Sequence, residues 1–373
     1  MKAFFDKCKQ LFRKISAKPG AKSFGASLIA ILLGLLVGFL VMVITNPLRS
    51  PRGLLTMLTG FFGHPRGAFI GFGELLARAT PMIFTGLAIA FAFKTGLFNI
   101  GASGQYTIGL FAAMVVGLIG DPLGVFQWPV AVLAGALAGG LWGAIPGFFK
   151  SYLNVHEVIT GIMFNYIGLY LVNGIITGVG KTVLLNGTTY RTKNIDQSAR
   201  TPYFFMDKIF KNSGLDFSIF IAITACVVIY FILKKTVFGR ELKSVGNNPF
   251  ASKYAGINEK KSLIMSMAIS GLLAGLGGAL FILSPSTRNL GNTYSPENTI
   301  LPAGFDGIPV ALLANLNPLG VIASALFLQY IEMGGSYLQT IGYKPEIVDI
   351  IIGVILYFSA FALIVGRFLG QAL

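Results

Sequence analysis

Four side chains could do hydrogen-bond chemistry where water is scarce. Asn99, Gln105, Asn165 and Asp306 all lie in or against long apolar runs. Polar groups and irregular backbone are tolerated at membrane depth only inside protein or beside a water-filled cavity. The stretch Gly96-Leu-Phe-Asn-Ile-Gly-Ala-Ser-Gly-Gln105 combines three glycines with Asn99 and Gln105. It predicts a break in helical backbone where a polar solute is handled; a tight turn with Asn99 capping the next helix fits the same residues. Ala303-Gly-Phe-Asp-Gly-Ile-Pro309 has a similar make-up around Asp306, the most deeply embedded carboxylate. Its competing reading is a capping Asp at a helix start. Asn165 lies two turns beyond Glu157, which follows His156 at the entrance of another apolar run. A single histidine at such an edge serves as a cap or a solvated group as readily as a ligand.

Covalent and metal chemistry find no matching set of residues. The chain has two histidines and two cysteines, with Cys8 in a basic tail and Cys226 inside an apolar run. No metal spacing or disulfide framework follows from them. No Gly-x-x-x-x-Gly-Lys-Ser/Thr stretch is present, so the chain has no loop of its own to grip ATP phosphates.

The elements that must hold these residues follow from composition. Of 373 residues, 54% are hydrophobic and 12% charged, against roughly 25% charged in an average soluble domain. At about 20 apolar residues per span, the expectation is an all-α polytopic membrane protein with about ten transmembrane helices. A net charge of +15 raises nucleic-acid binding. The charges fall between apolar runs, however, where they read as topology signals and anionic-lipid contacts. No nucleic-acid partner is expected.

Residues 1–23 form a basic tail, with Lys2, Lys7, Lys9, Arg13, Lys14, Lys18 and Lys22 against Asp6, and predict a cytoplasmic N-terminus. The run Phe24–Thr45 is longer than a signal-peptide core of about 7–15 residues and predicts a retained first helix. Residues 46–79, with Pro47, Pro51 and Pro65, predict an outer loop or a short interfacial helix. The second span is predicted at Thr80–Lys94, with Pro81 in its first turn. The third runs from the 96–105 stretch to about Gly120. The fourth is Pro129–Phe149, whose Gly/Ala content allows close helix approach. The others are Val158–Gly178, Ser218–Leu233, Ser262–Ser284, Ile300–Ala314, Pro318–Met333 and Ile347–Phe368. Residues 24–370 thus make one transmembrane domain with an outer loop at 179–216, a cytoplasmic loop at 234–261 and both termini cytoplasmic. A further outer loop carries Pro285, Arg288 and Pro296. The turns near Lys94 and Asn317 suit re-entrant breaks equally well. The two glycine-flanked stretches open the third and eighth spans. Five helices reverse orientation, so this spacing predicts two inverted five-helix repeats.

In the loop at 234–261, Asn248 suits an N-cap, Pro249 the first helical position and Gly256 the position past the end. A two-turn helix over Pro249–Ala255 results, with Phe250 and Tyr254 on one face. Such a helix suits insertion into a partner's groove; lying on lipid is the alternative.

With these pieces assembled, the chain resembles the membrane permease subunits of bacterial ABC importers of the branched-chain amino acid and ribose group. The resemblance rests on Leu97-Phe-Asn-Ile-Gly-Ala-Ser-Gly-Gln105, Asn165-Tyr166, and Gly239–Ile257 around Gly246-Asn-Asn-Pro249. It rests also on Gly304-Phe-Asp-Gly-Ile-Pro-Val-Ala-Leu-Leu313 with Asn317-Pro-Leu-Gly320. It covers about residues 75–370, and Phe98-Asn-Ile-Gly101 is similar to the nucleoside-importer branch. The resemblance implies a type II-like permease in the bacterial cytoplasmic membrane that is not itself an enzyme and binds no cofactor. It implies a second, homologous permease as partner and a cytoplasmic ABC ATPase that binds ATP and Mg. An outer lipid-anchored binding protein would deliver the small-molecule substrate. Glu241, Asn248, Pro249, Phe250, Tyr254 and Gly256 would then belong to the coupling segment seated in the ATPase. Phe98, Asn99, Gln105, Asn165, Phe305 and Asp306 would line the substrate path or brace the broken helices beside it. A sugar or amino acid importer of the same build is one alternative, and an ion-coupled carrier using Asp306 or Glu157 is another. The family commonly carries an acid where Ser103 stands, and the chain departs from it there.

Overall fold

Long apolar runs leave the backbone no partner but itself, and only helices or closed barrels satisfy that condition in lipid. The computed structural model describes residues 19–285, 292–344 and 346–371. The tail up to Lys18, with Cys8, and Arg288 of the predicted outer loop lie outside them. The chain is all-α, with no strand among the described residues. Its main helices are α1 Pro19–Thr45, α2 Ser50–Thr59, α3 Ala68–Lys94, α4 Ala102–Ile119, α5 Gln127–Leu153, α6 Glu157–Thr177 and α7 Ser218–Lys235. Then come α8 Val237–Asn247, α9 Pro249–Tyr254, α10 Glu259–Leu283, α11 Gly307–Leu313, α12 Pro318–Ser336 and α13 Glu346–Gln371. Among the described residues, eight helices are long and apolar enough to cross a membrane.

Two predicted spans differ from the structure. The second begins at Ala68, not Thr80, and Pro81 sits inside α3. Proline removes one helical hydrogen bond. In an apolar setting that loss is smaller than the cost of leaving the preceding turns unpaired, and helix continues through it. The charges of its first turns are paired on the helix itself, where Arg78 donates from Nε to Glu74 Oε1 at 3.0 Å, four residues away. The eighth predicted span is a 3-10 turn at Pro302–Gly304 followed by the seven-residue α11. At about 1.5 Å per residue α11 is ~11 Å long, far short of the ~30 Å hydrocarbon thickness. It ends in a left-handed turn at Asn315 and Leu316, φ 50° and 57°.

The chain divides into two compact units. The first comprises residues 1–60, 312–315 and 331–373, and α1 packs along α13 in it. Tyr343 Oη donates to Asn46 O at 2.9 Å and Arg49 Nη1 to Ile341 O at 2.9 Å. The second comprises residues 61–311 and 316–330 and contains the sequence-predicted functional residues. Its centre is α10, which packs on α5, α4 and α3. Small residues allow this approach. A Cβ on Gly139 of α5 would stand 2.5 Å from Gly271 O, and one on Gly275 of α10 2.5 Å from Gly135 O. Helices in lipid gain no hydrophobic drive to associate, so such close backbone packing is what joins them.

The 179–216 segment is pinned by its own polar groups. Buried Asp216 accepts from Ser218 N at 3.1 Å and from the Thr201 and Ser218 hydroxyls. Burial pushes its carboxyl up, and those hydrogen bonds offset part of the effect.

Backbone contacts at the glycine seam cannot relax by a rotamer change. Gly275→Val is expected to cost at least the ~1–3 kcal/mol of ordinary overpacking, seen as a fall in thermal midpoint in detergent. Gly174→Ala, where an added Cβ meets nothing within 4 Å, should leave the midpoint unchanged.

Candidate functional site

The chain leaves helical geometry after Lys94. Gly96 is left-handed at φ +80° and α4 starts only at Ala102. Gly96 N and Leu97 N still donate to Phe93 O and Ala92 O at the end of α3, and three side-chain amides brace the residues that follow. Asn99 and Gln105 have no exposed surface. Asn99 Nδ2 donates to Gln105 Oε1 at 2.7 Å, and Asn99 Oδ1 accepts from Gln105 Nε2 at 3.1 Å. Asn99 Nδ2 also donates to Ser270 Oγ of α10 at 2.7 Å, and Ser270 Oγ donates to Ala88 O of α3 at 2.7 Å. One chain of hydrogen bonds thus ties the break to α4, α10 and α3.

The third amide comes from α6. Helix α4 has Gly101 at its N-cap and no capping side chain of its own, which leaves first-turn N–H groups to be satisfied elsewhere. Asn165 Oδ1 accepts from Gly104 N at 2.7 Å, and its Nδ2 donates to Ile100 O at 3.0 Å. The cap is Asn165, not Asn99. Close approach makes this possible, since a Cβ on Gly161 would stand 2.8 Å from Gly101 N.

The two stretches singled out from the sequence meet. Ser103 Oγ donates to Leu301 O, and Gly304 lies so close that an added Cβ would overlap the Ser103 backbone. A Cβ on Gly307 would stand 2.5 Å from Thr85 C of α3. Phe305 and Asp306 are half-buried in this turn, immediately ahead of α11. Phe98 packs on Phe93 with ring centroids 4.7 Å apart, and no ring contact joins it to Phe305 among the described residues. Tyr106, one turn beyond Ser103, is 1% exposed and its hydroxyl has no hydrogen-bond partner among the described residues. Leaving a buried hydroxyl unpaired costs about 1–3 kcal/mol.

At the other end of the break the segment containing α9 makes contact. A Cβ on Gly246 of α8 would stand 2.5 Å from Thr95 C. Asn248 Oδ1 accepts from Ala251 N at 3.0 Å, Pro249 opens α9, and Gly256 follows it at φ +80°. Phe250 and Tyr254 are 79% and 95% exposed, so this aromatic face is unpartnered among the described residues. Glu241 is half-buried on α8.

Glu157 pairs with Lys150 Nζ at 2.8 Å, and His156 caps α6 by accepting from Val158 N at 3.3 Å. No group of His, Cys, Asp and Glu suited to a metal occurs among the described residues. Sequence reasoning missed Ser270, Tyr106 and the contact made by Gly246, which it used only as a motif residue. Ser266 and Ser270, four apart in an apolar run, were the available signal for the first; the other two need the tertiary contacts. It also missed the ion pairs of Glu74 with Arg78 and His64, the latter 3.0 Å away.

The fold and this braced break define a multi-pass membrane protein whose polar groups serve an interrupted helix at depth. Residues 71–360 match the family described as branched-chain amino acid transport system / permease component, and the chain belongs to that family. It is 40% identical over 311 residues to the guanosine ABC transporter permease protein NupP of Bacillus subtilis (strain 168), covering 83% of this chain and 85% of that one. It is 37% identical over 308 residues to the nucleoside ABC transporter permease protein NupB of Lactococcus lactis, covering 82% and 83%. The glucose ABC transporter permease protein TsgB13 of Haloferax volcanii is 29% identical over 77% of this chain and 75% of its own. No solved structure matches.

Asn99 and Gln105 satisfy each other, so their substitutions should not add. Asn99→Ala and Gln105→Ala each orphan a buried amide, at about 1–3 kcal/mol. The double variant should lose less than the sum by ~0.5–3 kcal/mol, read from thermal or denaturant unfolding in detergent.

Proposed function

We propose that this chain is the permease subunit of an ATP-driven importer whose substrate is a nucleoside. It spans the bacterial cytoplasmic membrane through residues 24–370, with both termini and the α8–α9 segment inside. Its partners are a cytoplasmic ABC ATPase that binds ATP and Mg, a second homologous permease, and an outer substrate-binding lipoprotein. The names of the two relatives above support the nucleoside assignment. The observation that carries the mechanism is the direct backbone contact of Gly246 with Thr95 and Gly96. An exposed aromatic helix, seated on an ATPase, would be linked through it to the start of the helix break.

Closure of the ATPase displaces α9, and α8 carries that displacement to Gly96. Asn165 pairs backbone groups at Ile100 and Gly104, and Asn99 with Gln105 ties the break to α4 and α10, so it moves as a unit. The Ser103–Gly304 contact passes the motion to the turn holding Phe305 and Asp306. Those two residues, with Phe98, border the substrate path. Such two-state packing contacts are how a local shift becomes a change of access. An ion-coupled carrier is less well supported, because Glu157 is already neutralised by Lys150.

Proteoliposomes holding both permeases and the ATPase, supplied with binding protein, should take up guanosine when ATP is on the ATPase side. Uptake driven by an ion gradient without ATP would overturn the reading. Tyr254→Asp should leave the permease folded, since that side chain is 95% exposed, while reducing co-purification of the ATPase and uptake at least ~10-fold. That loss corresponds to the ~1.4 kcal/mol or more expected when an interface anchor is removed. Normal uptake by this variant would remove α9 from the coupling role.

A further inference from the structure

The Tyr106 hydroxyl stands apart from the other buried polar groups at the break. Asn99, Gln105, Asn165, Ser103 and Ser270 all have named partners. Tyr106 is as buried as they are, and its oxygen has none among the described residues. Its ring lies against one face of α10, 6.1 Å from Phe281 in centroid distance and 3.5 Å from where a Cβ on Gly277 would lie. A phenylalanine would fill the same volume without stranding a donor. Ser103 and Tyr106 are three residues apart on α4 and so share a face, and Ser103 faces Leu301 and Gly304. Tyr106 thus lies one turn from the contact with the second break, in electrostatic reach of Asp306.

We infer that Tyr106 is a substrate-recognition residue: its hydroxyl hydrogen-bonds the transported solute when the break opens. This rests on the nucleoside-importer reading. A phenol donor with a carboxylate close by suits the adjacent hydroxyls of a ribose, one oxygen accepting from Tyr106 and the neighbouring hydroxyl donating to Asp306. No bond is made or broken. The group left unsatisfied in this conformation is satisfied by the passing solute. Fixed polar partners would bind the solute without letting it leave; a partner exchanged between states does both.

The test is Tyr106→Phe in the reconstituted complex of both permeases and ATPase, supplied with binding protein. Uptake of guanosine and of 2′,3′-dideoxyguanosine is measured over a range of concentration. One uncharged hydrogen bond corresponds to roughly a 3- to 10-fold effect. The half-saturating guanosine concentration should rise by that factor, with maximal uptake little changed. Uptake of the dideoxy compound should not respond to the substitution. The thermal midpoint of the variant should equal or exceed that of the parent, because an unpaired oxygen has been removed; this separates a recognition defect from misfolding. Equal changes for both compounds, or none for either, would overturn the assignment while leaving the importer reading intact. Absence of ATP-dependent guanosine uptake by the parent complex would overturn both.

Discussion

Backbone placed in hydrocarbon must find a hydrogen-bond partner, and the whole arrangement at the centre of this permease follows from that constraint. Between Lys94 and Ala102 the chain gives up helix, which alone would strand several N–H and C=O groups. The Asn165 cap supplies backbone partners from α6 at Gly104 N and Ile100 O, while the Asn99–Gln105–Ser270 network ties the break's side chains to α4 and α10. The break is therefore braced from α4, α6 and α10. That matters for transport, because a braced segment can shift between two packed arrangements as one piece.

Close backbone contacts do the rest. Polar networks fix the segment internally, while glycine contacts fix it to its neighbours: Gly246 at Thr95, Gly161 at Gly101, and Gly304 at Ser103. A contact between backbones leaves no side chain to absorb movement by changing rotamer. Displacement on one side must be met by displacement on the other, and the α8–α9 segment, the first break and the second break form one mechanical series. Ser103 fits here. Its short hydroxyl reaches Leu301 O inside a contact too tight for a longer side chain without movement of the second break, which gives a local reason for the departure from the acid common in the family.

What could be read from the sequence divides by the range of the forces involved. The α9 helix was legible residue by residue, because Asn248, Pro249 and Gly256 act on their own neighbours. The two breaks were legible as composition, since glycine beside amide or acid has no use on a lipid-facing helix. Which amide performed which task was not: Asn165 and Asn99 exchange the capping role only once α6 packs on α4. The start of α3 was misplaced because Pro81 obeys the rule for a helix start while membrane surroundings override it. The eighth span was begun too early because its apolar run gives no sign that Pro302–Gly304 forms a 3-10 turn and that α11 starts only at Gly307. The glycine partners of α5 lie on α10, more than a hundred residues away, and no local pattern joins them.

The central claim is that events at the ATPase reach the Gly96–Gln105 break through the α8–α9 segment. Amide hydrogen exchange over residues 96–105 tests it most directly, in the reconstituted complex with the ATPase first nucleotide-free and then held with a non-hydrolysable ATP analogue. The account predicts that protection across these residues changes with nucleotide, together with that of Leu301–Gly307. Exchange that is the same in both states, while the lipid-facing helices or the α9 segment respond, would contradict it.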